Sequence, residues 1–142
     1  MANEEELASI SNELEISQAR GESIRQQVQA MQSSLLEMAS TIEALQNIGN
    51  AKKDTLVPIG AGVFLSCPKP DADRVVVSVG SGIMMEKKPE EAIKILESRQ
   101  KKLSDAMNEA QKELARIVNM VEQLSLRAGE LSAMDERAAR KQ

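Results

Sequence analysis

The sequence predicts an α+β fold, mostly α: a long antiparallel coiled-coil hairpin with two central β-hairpins that join a multi-subunit β-barrel. Three observations predict it. Two seams of apolar residues in three-four spacing, each of twelve positions over 39 residues, flank a short strand-like middle. The middle repeats itself, "VPIGAGVFL" returning as "VSVGSGIMM" twenty residues later. The strands so implied are apolar on both faces, and four short strands of one chain cannot bury two faces.

Residues 1–49 read as the N-terminal coiled-coil helix. Its seam runs Leu7, Ile10, Leu14, Ser17, Gly21, Ile24, Val28, Met31, Leu35, Met38, Ile42, Leu45, and ten of the twelve are apolar without a break in phase. Gly49 and Asn50 supply a stop. Glu4, Glu5 and Glu6 favour the positive end of the helix dipole. Residues 89–142 read as the C-terminal coiled-coil helix, with Pro89 suited to the first helical position and Glu90 and Glu91 to the first turn. Its seam runs Ile93, Leu96, Gln100, Leu103, Met107, Ala110, Leu114, Ile117, Val121, Leu124, Ala128, Leu131.

Equal seams in one chain predict that the helices pair with each other, the chain forming one domain. Folded back antiparallel, Leu45 meets Ile93 and Leu7 meets Leu131, so paired positions sum to 138. The rod would be about 60 Å long, with both termini at its far end. Gln100 then faces Met38, one polar group that could specify register.

Residues 50–88 read as two β-hairpins forming an oligomerisation barrel. Four strands are expected, Thr55–Ile59, Val63–Ser66, Arg74–Val79 and Ile83–Glu86, with "CPKPDAD" linking the middle two. Gly60 and Gly62, and their repeats Gly80 and Gly82, are each followed by another strand, so they mark hairpin turns. A phosphate-cradling loop would instead open a helix and carry a third glycine or a Lys-Ser/Thr pair, and neither is present. The apolar strand residues are Leu56, Val57, Ile59, Val63, Phe64, Leu65, Val75, Val76, Val77, Val79, Ile83 and Met85, with Met84 beside them. Their open edges invite pairing, and strands from several chains sharing one sheet or barrel would bury them.

Composition narrows the function. Aromatics are 1% of the 142 residues, charged residues 28%, and the net charge is −4. That mixture suits long helices and lacks the basic face of a nucleic-acid binder; "RAARKQ" reads as a solvated helix end. Cys67 is the only cysteine and there is no histidine, so no internal disulfide, zinc spacing or Cys–His nucleophile pair is expected. Cys67 reads as a small packed residue. No apolar stretch reaches membrane-spanning length, and "MANEEELASI" has no signal-peptide core. The expectation is a cytoplasmic protein, not an enzyme, with no cofactor, no metal, no nucleic acid and no membrane.

"LVPIGAGVFL" followed by "VVVSVGSGIMMEKKPEEAIKIL", between two seams of this length, resembles the α-class subunits of the prefoldin family. The resemblance covers essentially the whole chain, the helices by pattern more than by identity. Two hairpins rather than one mark the α class, and the organisation without eukaryotic extensions looks archaeal. The resemblance implies a hexamer of two α and four β-class subunits whose hairpins form a double β-barrel with six projecting coiled coils. It also implies that unfolded client proteins are held at the coil tips without ATP and delivered to a group II chaperonin. The alternative is a structural coiled-coil adaptor in a hetero-oligomer with defined protein partners.

If clients bind at the tips, apolar side chains there should be free of the seam. Ile16, Val118, Met120, Leu126 and Met134 fall outside the three-four register. The seam also weakens at Ser17, Gly21 and Ala128, with Gly129 a further soft point, since an interior glycine costs a helix roughly 1 kcal/mol. Fraying would expose Leu7, Ile10, Leu14, Leu124 and Leu131 part of the time. Against this stands the plainer reading that seam residues are coil core and lone off-seam apolar residues ordinary surface.

Overall fold

A computed structural model describes residues 2–50 and 54–142; residues 1 and 51–53 of the expected segments lie outside the described residues. Helix α1 spans Ala2–Asn47 and is followed by a 3-10 turn, Ile48–Asn50. Strands β1 (Thr55–Gly60), β2 (Val63–Cys67), β3 (Val75–Gly80) and β4 (Ile83–Lys87) precede helix α2, Pro89–Arg140. The chain divides into two compact units, residues 1–32 with 105–142, and residues 33–104.

In the first unit the two helices pack antiparallel, in the register expected from spacing. A Cβ built on Gly21 would lie 3.4 Å from Cγ2 of Ile117. Asn3 Nδ2 donates to Asp135 Oδ1 at 2.9 Å. Both pairs sum to 138, and the second extends the seam by one polar layer. Ile10, Ser17, Gly21, Ile24, Ile117 and Leu131 are buried, and the remaining seam positions of the unit are half-buried. Half-burial is what a two-helix coil allows, because each seam residue is covered from one side. The small Ser17 and Gly21 are buried in this seam, and Ile117 packs close to Gly21.

In the second unit Leu35, Met38, Ile42 and Leu45, and Ile93, Leu96, Gln100 and Leu103, are likewise buried or half-buried. Helix α2 begins at Pro89 as expected. Lys88 O accepts the first helical bond from Ala92 N at 3.0 Å, and the Glu91 carboxylate accepts from Lys88 N at 3.4 Å, which is the Glu half of a capping box. Helix α1 stops before the expected glycine. Asn47 Nδ2 folds back onto the Glu43 carbonyl at 2.9 Å, and Gly49 falls inside the tighter turn.

The hairpins are antiparallel, β1 with β2 and β3 with β4, each closing at a two-residue turn. The turn residues Ala61 and Gly62 have φ of 50° and 78°, and Ser81 and Gly82 have 52° and 74°. Both central residues of each turn are thus left-handed, the geometry that matches strand twist; glycine adopts it freely, so the strain falls on Ala61 and Ser81. Each first strand carries a one-residue bulge, at Ile59 and at Val79. Strand ends differ by one residue from expectation. Cys67 and Lys87 join their ladders, whereas Arg74 does not; its guanidinium pairs with Glu86 at 3.2 Å.

Candidate interaction surfaces

The off-seam residues of the first unit are all exposed: Ile16 at 61%, Val118 at 41%, Met120 at 44%, Leu126 at 70% and Met134 at 54%. Helical geometry, about 100° per residue, separates them. Ile16 and Met120 stand at the same level of one flank, Val118 lies on the other, and Leu126 faces directly away from the seam on the outer side of α2. The first flank also carries the ion pairs between helices. Arg20 pairs with Glu113, and Arg127 Nε with Glu6 Oε1 at 3.0 Å. Glu6, by its hydrogen bond and its charge, raises the Arg127 pKa above the usual guanidinium value. Ser17 Oγ donates to Met120 Sδ at 3.7 Å, tethering that methionine to the seam.

The second flank has no ion pair between helices among the described residues. It holds a shallow groove of about 260 Å³ along Ser17, Gly21, Leu114, Val118 and Val121, with Arg25 and Glu122 at its border. The missing side chain of Gly21 and the short one of Ser17 create this groove. Of the tip residues expected to be exposed by fraying, Ile10 and Leu131 are buried at 6% and 1%, while Leu7, Leu14 and Leu124 are half-buried. The helices are intact at this end, and the Asn3–Asp135 and Glu6–Arg127 pairs bracket Leu131. Another chain meets Ile10 or Leu131 only after the coil opens.

The second unit carries a larger apolar surface. Leu56, Val57, Ile59, Val63, Phe64 and Leu65 of the first hairpin are exposed, as are Val76, Val79, Ile83, Met84 and Met85 of the second. Val75 and Val77 are half-buried, and Gly60, Gly62, Gly80 and Gly82 sit in open turns. Such a patch, apolar on both faces of each hairpin, marks an interaction site. Sequence reading missed one participant: Arg99 of α2 donates from a guanidinium nitrogen to the backbone carbonyl of Ser78. The only signal was its place beside seam position Gln100, and nothing in the spacing points it at a strand.

Among the described residues no group of three Asp, Glu, Cys or His side chains is placed to hold a metal ion. No described helix is long and apolar enough to cross a membrane.

Comparison with known proteins places this arrangement. The family model for the prefoldin subunit matches residues 18–132. The chain is 33% identical over 132 residues to prefoldin subunit alpha of Pyrococcus horikoshii, covering 91% of this chain and 89% of that one. It is 26% identical over 135 residues to prefoldin subunit alpha of Methanobrevibacter smithii, covering 94% and 92%. A cryo-EM structure of filamentous PFD from Methanocaldococcus jannaschii matches with a TM-score of 0.71 and 24% identity, over 82% of this chain and 98% of that one. At that identity the likeness is one of fold.

Proposed function

The chain belongs to the prefoldin family of chaperone subunits, and on that premise we propose that it is the α-class subunit of a hetero-hexameric holdase. Two such chains combine with four β-class subunits through their hairpins. The assembly binds unfolded client proteins on its coiled coils in the cytosol, without ATP, and passes them to a group II chaperonin. The observation that carries this reading is that each unit presents its own exposed apolar set. Eleven large apolar side chains stand exposed on the hairpins, where strand pairing can bury them, and five stand off the seam of the coil in the first unit. Flexible Met and Leu side chains on a helix suit varied apolar segments.

Native mass of the chain, alone and with a β-class companion, tests the assembly. The expected product is a discrete hexamer in a two-to-four ratio; a lone monomer that captures no companion overturns the reading. Light scattering of unrelated denatured proteins then tests the holding. Suppressed aggregation without nucleotide supports a holdase, and assembly without suppression favours the adaptor.

A further inference from the structure

The second hairpin differs from its repeat in one respect: a side chain of α2 holds it. Arg99 donates from a guanidinium nitrogen to the Ser78 carbonyl, and both residues belong to the second compact unit. Burial agrees with docking at this place. Ala92, Ile95 and Arg99 follow one another by three and four residues along one side of α2, off the seam. Ala92 is fully buried, and Ile95 and Arg99 are half-buried. Leu36, an off-seam residue of the same unit, is by contrast 68% exposed. On the strand side Val77 is half-buried, whereas Val57, its equivalent in the first repeat, is exposed. Among the described residues no side chain hydrogen-bonds the backbone of β1 or β2, and Pro58 occupies the position equivalent to Ser78.

The direction of the Ser78 carbonyl follows from the register. The second hairpin closes at the pair Gly80–Ile83, with Val79 bulged beside it. The next pair, Ser78–Met84, is then of the kind that exchanges no hydrogen bonds, so the Ser78 N–H and C=O face away from β4. In a closed barrel no edge is left unpaired. The outward acceptor of Ser78 is therefore one that a neighbouring subunit's strand uses once the hexamer has formed. A guanidinium lying on that carbonyl stands where the strand must come, so the contact belongs to the chain before assembly.

We propose that Arg99 is a latch of the unassembled chain: it holds the second hairpin against α2 with the β3 edge covered, and it is displaced when a companion strand pairs with β3. The displacement step rests on the hexamer proposed above. A transient cover has a physical use. An apolar hairpin with a bare edge recruits unrelated strands, and every chain is exposed to that hazard before it meets its companion. One exposed guanidinium–carbonyl contact shields the edge. It yields to a strand that supplies several backbone bonds and buries Val76 and Val79, which are exposed in the free chain.

The test compares the full-length chain with Arg99→Ala, with helical circular dichroism to show that both are folded. In each chain alone, hydrogen exchange is read at the ladder amides of both hairpins, the first hairpin serving as the unlatched control. Arg99→Ala should speed exchange in β3–β4 about three- to tenfold and leave β1–β2 unchanged. No change in β3–β4, or an equal change in both hairpins, overturns the latch.

With the β-class companion added, native mass is followed in time. Arg99→Ala should reach the same hexamer about three- to tenfold faster and dissociate on dilution at the parent's rate. Formation at an equal or slower rate overturns the proposal. So does faster dissociation, which would place the Arg99 contact in the assembled state as an ordinary structural bond. Failure of both chains to assemble with any companion is a different result: it removes the hexamer, while the exchange measurement on the chain alone still decides whether Arg99 holds the hairpin.

Discussion

Gly21 sits in the coil where a larger residue is expected, and its neighbourhood decides what replacing it would do. A Cβ there meets Ile117 Cγ2 at 3.4 Å and Leu114 Cδ1 at 3.9 Å, both ordinary contacts. Helix propensity favours alanine over glycine by about 1 kcal/mol in an interior position. Propensity and packing act in the same direction, so Gly21→Ala should raise the melting temperature by about 3–5 °C. Thermal circular dichroism measures it, and a lower value would mean that Ile117 cannot accept the methyl group. Spacing alone placed Gly21 opposite Ile117; the 3.4 Å approach, which makes alanine tolerable and leucine not, depends on how closely the backbones come together. Arg127 makes a second residue-scale case. Its pKa is raised by Glu6, and a base with a raised folded pKa contributes stability that is complete below its unfolded value and lost only as pH rises through the folded one. Both values lie far above neutrality. Melting curves of the parent and Arg127→Gln should therefore run parallel across neutral pH and converge as salt screens the pair; a gap that changes around neutral pH would place another titrating group at this end.

At the scale of elements, the helices were legible because a coil repeats its burial rule. All twenty-four seam positions are buried or half-buried, including the polar Ser17 and Gln100. The hairpins were legible because the Gly-x-Gly pair occurs twice. What escaped was whatever depends on a single backbone detail: the bulges at Ile59 and Val79, the left-handed Ala61 and Ser81, and the reach of Arg99. The flanks of the coil escaped for another reason. Three-four spacing defines the buried stripe, whereas charge pairing beside it selects which flank is zipped and which carries the Gly21 groove. This separation predicts two opposite phenotypes on α2. Leu131→Ala empties a fully buried position and should cost about 2–5 kcal/mol, while Leu126→Ser changes a side chain that is 70% exposed and should alter stability by no more than about 0.5 kcal/mol. If the off-seam surface holds clients, Leu126→Ser weakens suppression of aggregation at unchanged melting temperature, and Leu131→Ala lowers melting first. Loss of holding only in Leu131→Ala would shift the client surface into the opened seam.

At the scale of the whole molecule, if the hairpin unit serves assembly and the coil unit serves holding, as proposed, a deletion separates the two roles. Removing residues 1–16 and 123–142 takes away Ile16, Leu126 and Met134, the buried Ile10 and Leu131, and the Glu6–Arg127 and Asn3–Asp135 pairs. The seam still closes from Ser17 and Val121 inwards, and residues 33–104 keep every hairpin residue. Strand pairing draws on that second unit alone, so the shortened chain should enter the same hetero-oligomer with its companion, at a native mass reduced only by the deleted residues. Its suppression of client aggregation should fall sharply at equal concentration, because the side chains with spare apolar area are gone while Val118 and Met120 remain as a reduced surface. Unimpaired holding by the assembled deletion would move the client site to the hairpin unit. Failure to assemble would show that the coil ends contribute to pairing, and the division of labour between the two units would no longer stand.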